Sequence, residues 1–235
     1  MLVSRPVHPP EHPVQLPAFD AWPHRLSGTV IAALLNHRPQ LAALGDAVHA
    51  APYKAPPRAP VLAVRPRHML AGEGDAIEVP GAVEIGAALG IVIGRTACRV
   101  AAADAMSHVA GYLVVGELGL PLASHYRPAL RQKARDGFCP LGARVIPAHQ
   151  VADADALALR VLVDGQPLQA STTGDRLRGI AQLIADVSDF ITLQPGDVLT
   201  LGASHGAPLA AAGQAVTIEI DGVGTLSFTL VEEAA

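Results

Sequence analysis

Charged and polar side chains concentrate in one long segment, residues 119–142, which shows no clean helical or strand period. Arginine and lysine suit carboxylate groups, because a guanidinium pairs with them in a fixed geometry and an ammonium binds them as a point charge. Irregular segments of this length are usually functional or mobile. On the residues alone, the simpler interpretation is a set of solvated loop charges with Asp136 paired to an arginine; the set comprises Tyr126, Arg127, Lys133, Arg135 and Asp136.

Motifs for nucleophilic catalysis and nucleotide binding are absent from the sequence. Cys139 has no obvious histidine partner, which argues against a thiol nucleophile. Ser204 and His205 are adjacent, but nothing in the spacing of acidic residues makes them part of a triad. No GxGxxG or P-loop pattern occurs, so a nucleotide-binding fold is not expected.

The composition narrows the classes of partner. The net charge is −4, and the 17 lysines and arginines are scattered rather than gathered into a basic stripe, which disfavours nucleic acid and membrane surfaces as partners. No apolar run approaches the roughly 18–20 residues of a membrane span, and no signal peptide is evident. Two cysteines without metal-ligand spacing fit a reduced cytoplasm.

Many short strands and a few helices are predicted to position these side chains. Helices are expected at residues 39–49, 101–109 and 175–190, the last with Thr173 or Asp175 as its cap. The pattern predicts an α+β, β-dominated single domain over residues 27–235. Strands are expected at residues 28–35, 60–65, 76–79, 87–94, 112–115, 157–163 and 197–201, with a C-terminal hairpin formed by 215–220 and 225–230.

Residues 1–26 are predicted to form a separate proline-rich arm. Six prolines remove backbone donors and favour extended structure. The segment is interpreted either as a disordered leader or as an arm laid across a partner subunit, with Phe19 and Trp22 as anchors.

Six short motifs in matching order and spacing resemble the fumarylacetoacetate hydrolase family. The resemblance runs from Gly28 nearly to the end of the chain, and it implies a mixed β-roll or barrel with a few short helices. The motifs are Val-Ala-Gly-Tyr at 109–112, Lys-Ala-Arg-Asp-Gly-Phe-Cys-Pro-Leu-Gly at 133–142, Val-Asp-Gly at 163–165, Leu-Gln-Pro-Gly-Asp at 193–197, Leu-Gly at 201–202 and Ile-Asp-Gly-Val-Gly-Thr-Leu at 220–226.

Three further stretches are similar to one subgroup, the N-terminal half of the bifunctional isomerase/decarboxylases of 4-hydroxyphenylacetate breakdown. They are Leu-Asn-His-Arg-Pro-Gln-Leu at 35–41, Ala-Pro-Tyr-Lys-Ala-Pro-Pro at 51–57 and Tyr-Arg-Pro-Ala-Leu at 126–130. In that subgroup two homologous halves are fused or made as separate chains. The resemblance therefore implies an N-terminal-type subunit.

The resemblance implies chemistry through enolates of 2-oxo acids, with Mg²⁺ holding the developing charge on three carboxylates. The usual Glu-x-Glu pair aligns with Gly86 and Ala88, which cannot ligate, and the third ligand position aligns with Glu117. The usual His/Glu acid–base dyad aligns with Gln40 and Ala43, and glutamine cannot exchange a proton near neutral pH. A degraded metal site is the expectation, with Glu117 a weak candidate ligand.

The retained motif residues receive roles from the resemblance. Lys133 and Asp136 are the candidate catalytic residues, with the Lys133 ammonium able to hold an enolate without metal. Candidate substrate contacts are Tyr126, Arg127, Arg135 and Gly202.

Two functions remain open at this stage. The first is an enzyme subunit that decarboxylates 5-oxopent-3-ene-1,2,5-tricarboxylate, isomerises 2-hydroxyhepta-2,4-diene-1,7-dioate, or does both. The second is a non-catalytic structural partner of a metal-bearing homologue. The expected ligand is a small di- or tricarboxylate, and the expected assembly is a homodimer or a hetero-oligomer with a C-terminal-type subunit. Aromatic catabolism in the cytoplasm is the expected setting.

Overall fold

Short strands dominate the structure, a computed structural model that describes residues 28–122 and 129–234. None of the helices in these residues has the length and apolar character needed to cross a membrane. The helices are α1 (Arg38–Ala43), α2 (Ala102–Ala105), α3 (Leu130–Lys133) and α4 (Ile180–Ser188). The strands are β1 (Val30–Leu34), β2 (Val61–Arg65), β3 (Leu70–Ala71), β4 (Ala76–Val79), β5 (Val83–Ile93), β6 (Val109–Gly119), β7 (Cys139–Pro140), β8 (Ile146–Pro147), β9 (Ala158–Val163), β10 (Gln166–Thr172), β11 (Val198–Thr200), β12 (Leu209–Ala210), β13 (Ala215–Ile220) and β14 (Gly224–Glu232).

The larger sheet has the order β2-β1-β11-β5-β6-β8, with β12 also paired to β5. Three strands lie between β2 and β6, so a flat sheet would hold these two roughly 19 Å apart. Yet Arg65 on β2 and Glu117 on β6 form an ion pair of 3.0 Å. The sheet must therefore curl strongly, and this pair lies on its concave face.

The second sheet, β10-β9-β13-β14-β4, covers the convex face of the first. Gly116 on β6 shows the closeness of this packing, because a Cβ there would lie 2.6 Å from Pro140 and 3.5 Å from Ile218 on β13. Both strands β5 and β6 are buried along most of their length, and the apolar core lies between the sheets. The predicted β-dominated α+β fold is confirmed.

The predicted strands all occur, but two of the three predicted helices are shorter than expected. Residues 39–49 divide into α1 and a 3₁₀ turn at Gly45–Val48, and residues 101–109 divide into α2 and a 3₁₀ turn at Met106–His108. The positive φ of Gly45, 48°, marks the point where the first helix breaks. The proposed 1–26 arm lies outside the described residues.

The third predicted helix was wrong at its start. α4 begins at Ile180, with Gly179 as N-cap, while Thr173–Asp175 forms a separate 3₁₀ turn. The carboxylate of Asp155 accepts the Ile180 N–H at 3.1 Å and so takes over the capping predicted for Thr173 or Asp175. That cap comes from 25 residues upstream, where no local pattern indicates it.

Asp197 fixes the entry to β11 and its alignment beside β1. One carboxylate oxygen accepts the Thr29 N–H at 2.6 Å and the other accepts the Gln194 N–H at 2.7 Å. These bonds anchor the Pro-Gly turn that precedes β11 to the first residues of β1. The strand so positioned ends in Thr200, on the concave face.

Replacing Asp197 with alanine is expected to destabilise the protein by about 1–3 kcal/mol, because two backbone donors lose the buried, charged acceptor that ties their segments together. Asp189→Ala is the matched control, since Asp189 is exposed and its side chain bonds nothing among the described residues. Urea unfolding of both variants measures the difference. Equal midpoints for the two variants would refute the role of Asp197.

Candidate active site

Glu117 lies directly opposite Gly86 in the β5·β6 pair. Its side chain is 6% exposed, and both oxygens are engaged: Oε2 accepts from Arg65 Nη2 at 3.0 Å, and Oε1 accepts from Thr200 Oγ1 at 2.6 Å. The positions that align with family metal ligands therefore do meet on the concave face. In this chain they meet as an ion pair with an arginine rather than as a set of carboxylates.

The residues at this place do not fit a divalent metal ion. Gly86 and Ala88 supply no ligand atom, and a Cβ at Gly86 would lie only 2.6 Å from the Glu117 carbonyl oxygen. In the described part of the chain, no three His, Cys, Asp or Glu side chains lie close enough together to hold a metal. The guanidinium of Arg65 neutralises the one carboxylate that is present.

Lys133, at the end of α3, lies beside the same row of residues on β5 and β6. Its Nζ pairs with Glu84 at 3.1 Å, and its side chain crosses Gly119, where a Cβ would collide with it. Glu84 and Gly119 face each other across the strands, two residues from the Gly86–Glu117 pair and on the same face. The ammonium thus lies roughly 7 Å along the strands from the Gly86–Glu117 pair, which aligns with metal-ligand positions of the family.

The other predicted site residues do not gather around Lys133. Arg135 pairs with Glu233 at 2.8 Å, and its guanidinium lies 5.9 Å from the Phe138 ring centre. Asp136 is exposed and, within the described residues, pairs with no arginine. Gly202 has a positive φ of 93° and approaches Ala33 so closely that a Cβ would lie 2.6 Å from its carbonyl oxygen. Tyr126 and Arg127 lie outside the described residues.

The positions of the family's acid–base dyad carry no titratable group here. Gln40 and Ala43 lie on α1. Cys139 is not available as a substitute, because complete burial raises the pKa of its thiol to about 12. A buried thiol with a raised pKa is a poor nucleophile, because the thiolate is the reactive form.

A second polar cluster adjoins this site, between the end of β1, the turn after β10 and the loop after β11. His37 Nδ1 accepts the His205 N–H at 2.9 Å, and Arg176 Nη2 donates to Ser204 Oγ at 3.1 Å. Ser204 Oγ also shares a 2.7 Å hydrogen bond with Ser171. The His37 and Arg176 side chains are buried, and their backbones form an isolated β-bridge.

Electrostatics in this cluster favour a neutral histidine beside a charged arginine. Burial, and next the positive charge of Arg176, lower the pKa of His37 to about 4. Burial lowers the pKa of Arg176 to about 10, while Glu117 and Asp175 act in the opposite direction. At neutral pH His37 is therefore uncharged and Arg176 remains a cation.

Replacing His37 with asparagine should remove part of the acid sensitivity of the fold. The folded pKa is about 4 and the ordinary value is 6.5, so the unfolded chain binds the extra proton between them. Stability from neutral His37 is thus complete above pH 6.5 and is lost as pH falls toward 4.

The expected difference between wild type and His37→Asn is about 3 kcal/mol over that pH range. Asp175 and His205, which face His37 together with Arg176, stay in place in the variant. His149→Asn, at an exposed histidine, is the control, and urea unfolding from pH 7 to pH 4 gives the slopes. Parallel slopes for wild type and His37→Asn would contradict a neutral buried His37.

Local sequence patterns hardly indicate this cluster. The helix predicted at residues 175–190 includes Arg176 but gives it no role, and nothing in the residues around His37 indicates its partners. Thr200 directly precedes and Ser204 closely follows the Leu-Gly motif at 201–202, which is the one signal that could have pointed to them. Their association with Arg65, Glu117 and Arg176 comes only from the curled sheet.

Comparison with known proteins identifies a family that matches most of the chain. The family model described as fumarylacetoacetate (FAA) hydrolase C-terminal matches residues 29–231. The chain belongs to the fumarylacetoacetate hydrolase family. The 4-hydroxyphenylacetate degradation bifunctional isomerase/decarboxylase of Escherichia coli is 36% identical over 210 residues, 88% of this chain and 48% of the relative. The chain therefore spans about half the length of this fumarylacetoacetate hydrolase family relative.

Solved structures of fumarylacetoacetate hydrolase family members share the fold. The 5-carboxymethyl-2-hydroxymuconate delta-isomerase of Mycobacterium smegmatis is 29% identical, with a TM-score of 0.71 over 89% of this chain and 81% of its own. The maleylpyruvate hydrolase of Sphingobium sp. SYK-6, solved with manganese(II) and pyruvate, is 26% identical, with a TM-score of 0.73 over 88% of this chain and 71% of its own. The predicted family and roll-like fold are confirmed.

Proposed function

We propose that the chain is a subunit that decarboxylates 5-oxopent-3-ene-1,2,5-tricarboxylate, or a close 2-oxo dienoic acid of aromatic catabolism, without a resident metal ion. The observation that carries the proposal is Lys133, whose ammonium lies beside the concave face two residues from the Gly86–Glu117 pair. The similarity to the isomerase/decarboxylase of Escherichia coli supports the substrate class.

Decarboxylation suits these residues better than isomerisation does. The bond from carbon 2 of the substrate to its carboxylate breaks, and the electron pair moves through the adjacent C=C bond to the 5-oxo oxygen. CO₂ leaves, and the resulting dienolate takes up a proton to give 2-hydroxyhepta-2,4-diene-1,7-dioate. A cation near the oxo oxygen lowers the barrier, and no general base is needed.

Isomerisation requires a group that moves a proton near neutral pH. Among the described residues of the site, Glu117 is held by Arg65, and the pKa of His37 is about 4. Gln40 and Ala43 supply no base. These features disfavour the isomerase step for this chain, which would then fall to a homologous subunit.

A non-catalytic partner is the second candidate, and one observation favours it. Arg65 and Thr200 satisfy both oxygens of Glu117, so the aligned metal position has become part of the buried framework. In that case the chain would form a hetero-oligomer with a metal-bearing C-terminal-type homologue and would stabilise that homologue.

A turnover assay of the purified chain, alone and mixed with the companion subunit, distinguishes the two candidates. CO₂ release from the tricarboxylate by the chain alone is the result expected of a decarboxylating subunit. Activity only in the mixture, unchanged by Lys133→Met, would favour the supporting partner. No CO₂ release in either sample would contradict the decarboxylase assignment.

A further inference from the structure

Arg176 is one of two buried arginines in the described residues, and it differs from the other in having no carboxylate partner. Arg65 pairs with Glu117. Arg176 is 3% exposed, and the only side-chain hydrogen bond it makes within the described residues goes from Nη2 to Ser204 Oγ. Its Nε and Nη1, which together carry three of its five N–H donors, have no partner in that part of the chain.

A further unpartnered donor belongs to the same cluster. His37 Nδ1 accepts the His205 N–H, so the neutral imidazole carries its proton on Nε2. That Nε2 is buried and bonds nothing among the described residues. Two side chains whose backbones form a bridge thus carry buried N–H groups that have no acceptor among the described residues.

The charges of the buried groups at this site do not balance. Arg65 and Arg176 contribute two positive charges, Glu117 contributes one negative charge, and His37 is neutral. Asp197, the other buried carboxylate among the described residues, binds the Thr29 and Gln194 N–H groups at the start of β11 instead. Asp175, which is half-buried, lies near Arg176 but makes no ion pair with it. An uncompensated buried guanidinium is costly, and a carboxylate ligand would supply both the missing charge and the missing acceptors.

We propose that Arg176, together with the Nε2–H of His37, forms an internal binding site for one carboxylate of the 2-oxo acid substrate. The site uses guanidinium N–H groups where metal-dependent relatives use a divalent ion. The inference rests on the proposed function for the identity of the ligand as a 2-oxo acid. Carboxylate binding itself requires no turnover.

Calorimetric titration with oxalate in the presence of EDTA tests this site. Wild type is expected to bind oxalate, Arg176→Met to bind it at least tenfold more weakly, and Arg144→Met to match wild type because Arg144 is exposed and unpaired among the described residues. Without oxalate, Arg176→Met should melt no lower than wild type, because it removes an uncompensated buried charge. Oxalate should raise the melting temperature of wild type but not that of Arg176→Met.

Hydrogen exchange on the wild-type protein keeps the test independent of any variant. Oxalate is expected to slow amide exchange at Arg176 and His205. No oxalate binding by wild type at millimolar concentration, or equal binding by Arg176→Met, would overturn the proposal. Since oxalate is not decarboxylated here, failure of this site and failure of the proposed reaction give separate results.

Discussion

Replacing Arg65 with methionine is expected to destabilise the protein by about 3–5 kcal/mol, because it leaves the Glu117 carboxylate buried without its cation. The loss should be larger than that for any surface ion pair of the chain, since the side chains of Arg65 and Glu117 are each 6% exposed. Thermal or urea unfolding measures it. Removing both charges in Arg65→Met/Glu117→Gln should recover much of the stability.

The control for this prediction is Arg160→Met. Arg160 pairs with Glu219 and Asp221 at the surface, and its loss should leave the unfolding midpoint almost unchanged. If Arg65→Met unfolds at the same midpoint as Arg160→Met, the buried pair does not hold the curled sheet together. Failure of the double substitution to recover stability would show that Arg65 contributes mainly through packing.

Replacing Lys133 with methionine is expected to lower kcat for decarboxylation by about 10²–10³-fold, because the dienolate loses the nearest ammonium. Lys54→Met is the matched control: it is the only other lysine in the sequence, and it is exposed. Stopped assays of CO₂ release compare the variants, in the mixture with the companion subunit if the chain requires it.

The stability of Lys133→Met should stay close to that of wild type, since the Lys133–Glu84 pair is about one third exposed. A loss of rate at unchanged stability would therefore report on chemistry rather than folding. Turnover equal to that of Lys54→Met would remove Lys133 from the catalytic role.

Local sequence patterns were sufficient to predict most of the strands. Apolar runs bounded by glycine, proline or aspartate specify β1, β5 and β11, and Asp164-Gly165 specifies the hairpin between β9 and β10. Gly86 and Glu117, which the motif register aligns with two ligand positions, face each other across β5 and β6. These features depend on residues near one another in the chain or on a shared family pattern.

The partners of the site residues could not be predicted in the same way. Arg65 is 52 residues from Glu117, so no pattern near either residue in the chain indicates that they form a pair. The cap of α4 comes from Asp155 rather than from the residues just before the helix. Both contacts depend on how the sheets curl and pack. The spacing of apolar residues along the chain does not encode that arrangement.

The central claim is that Arg176 and Lys133, not a metal ion, supply the positive charge that binds a 2-oxo acid at this site. A crystal structure of the protein soaked with manganese(II) and pyruvate, with data collected at the manganese edge, tests it most directly. We expect a pyruvate carboxylate at Arg176, an intact Arg65–Glu117 pair and no anomalous peak at Glu117. A manganese ion bound to Glu117, with Arg65 displaced, would contradict the account.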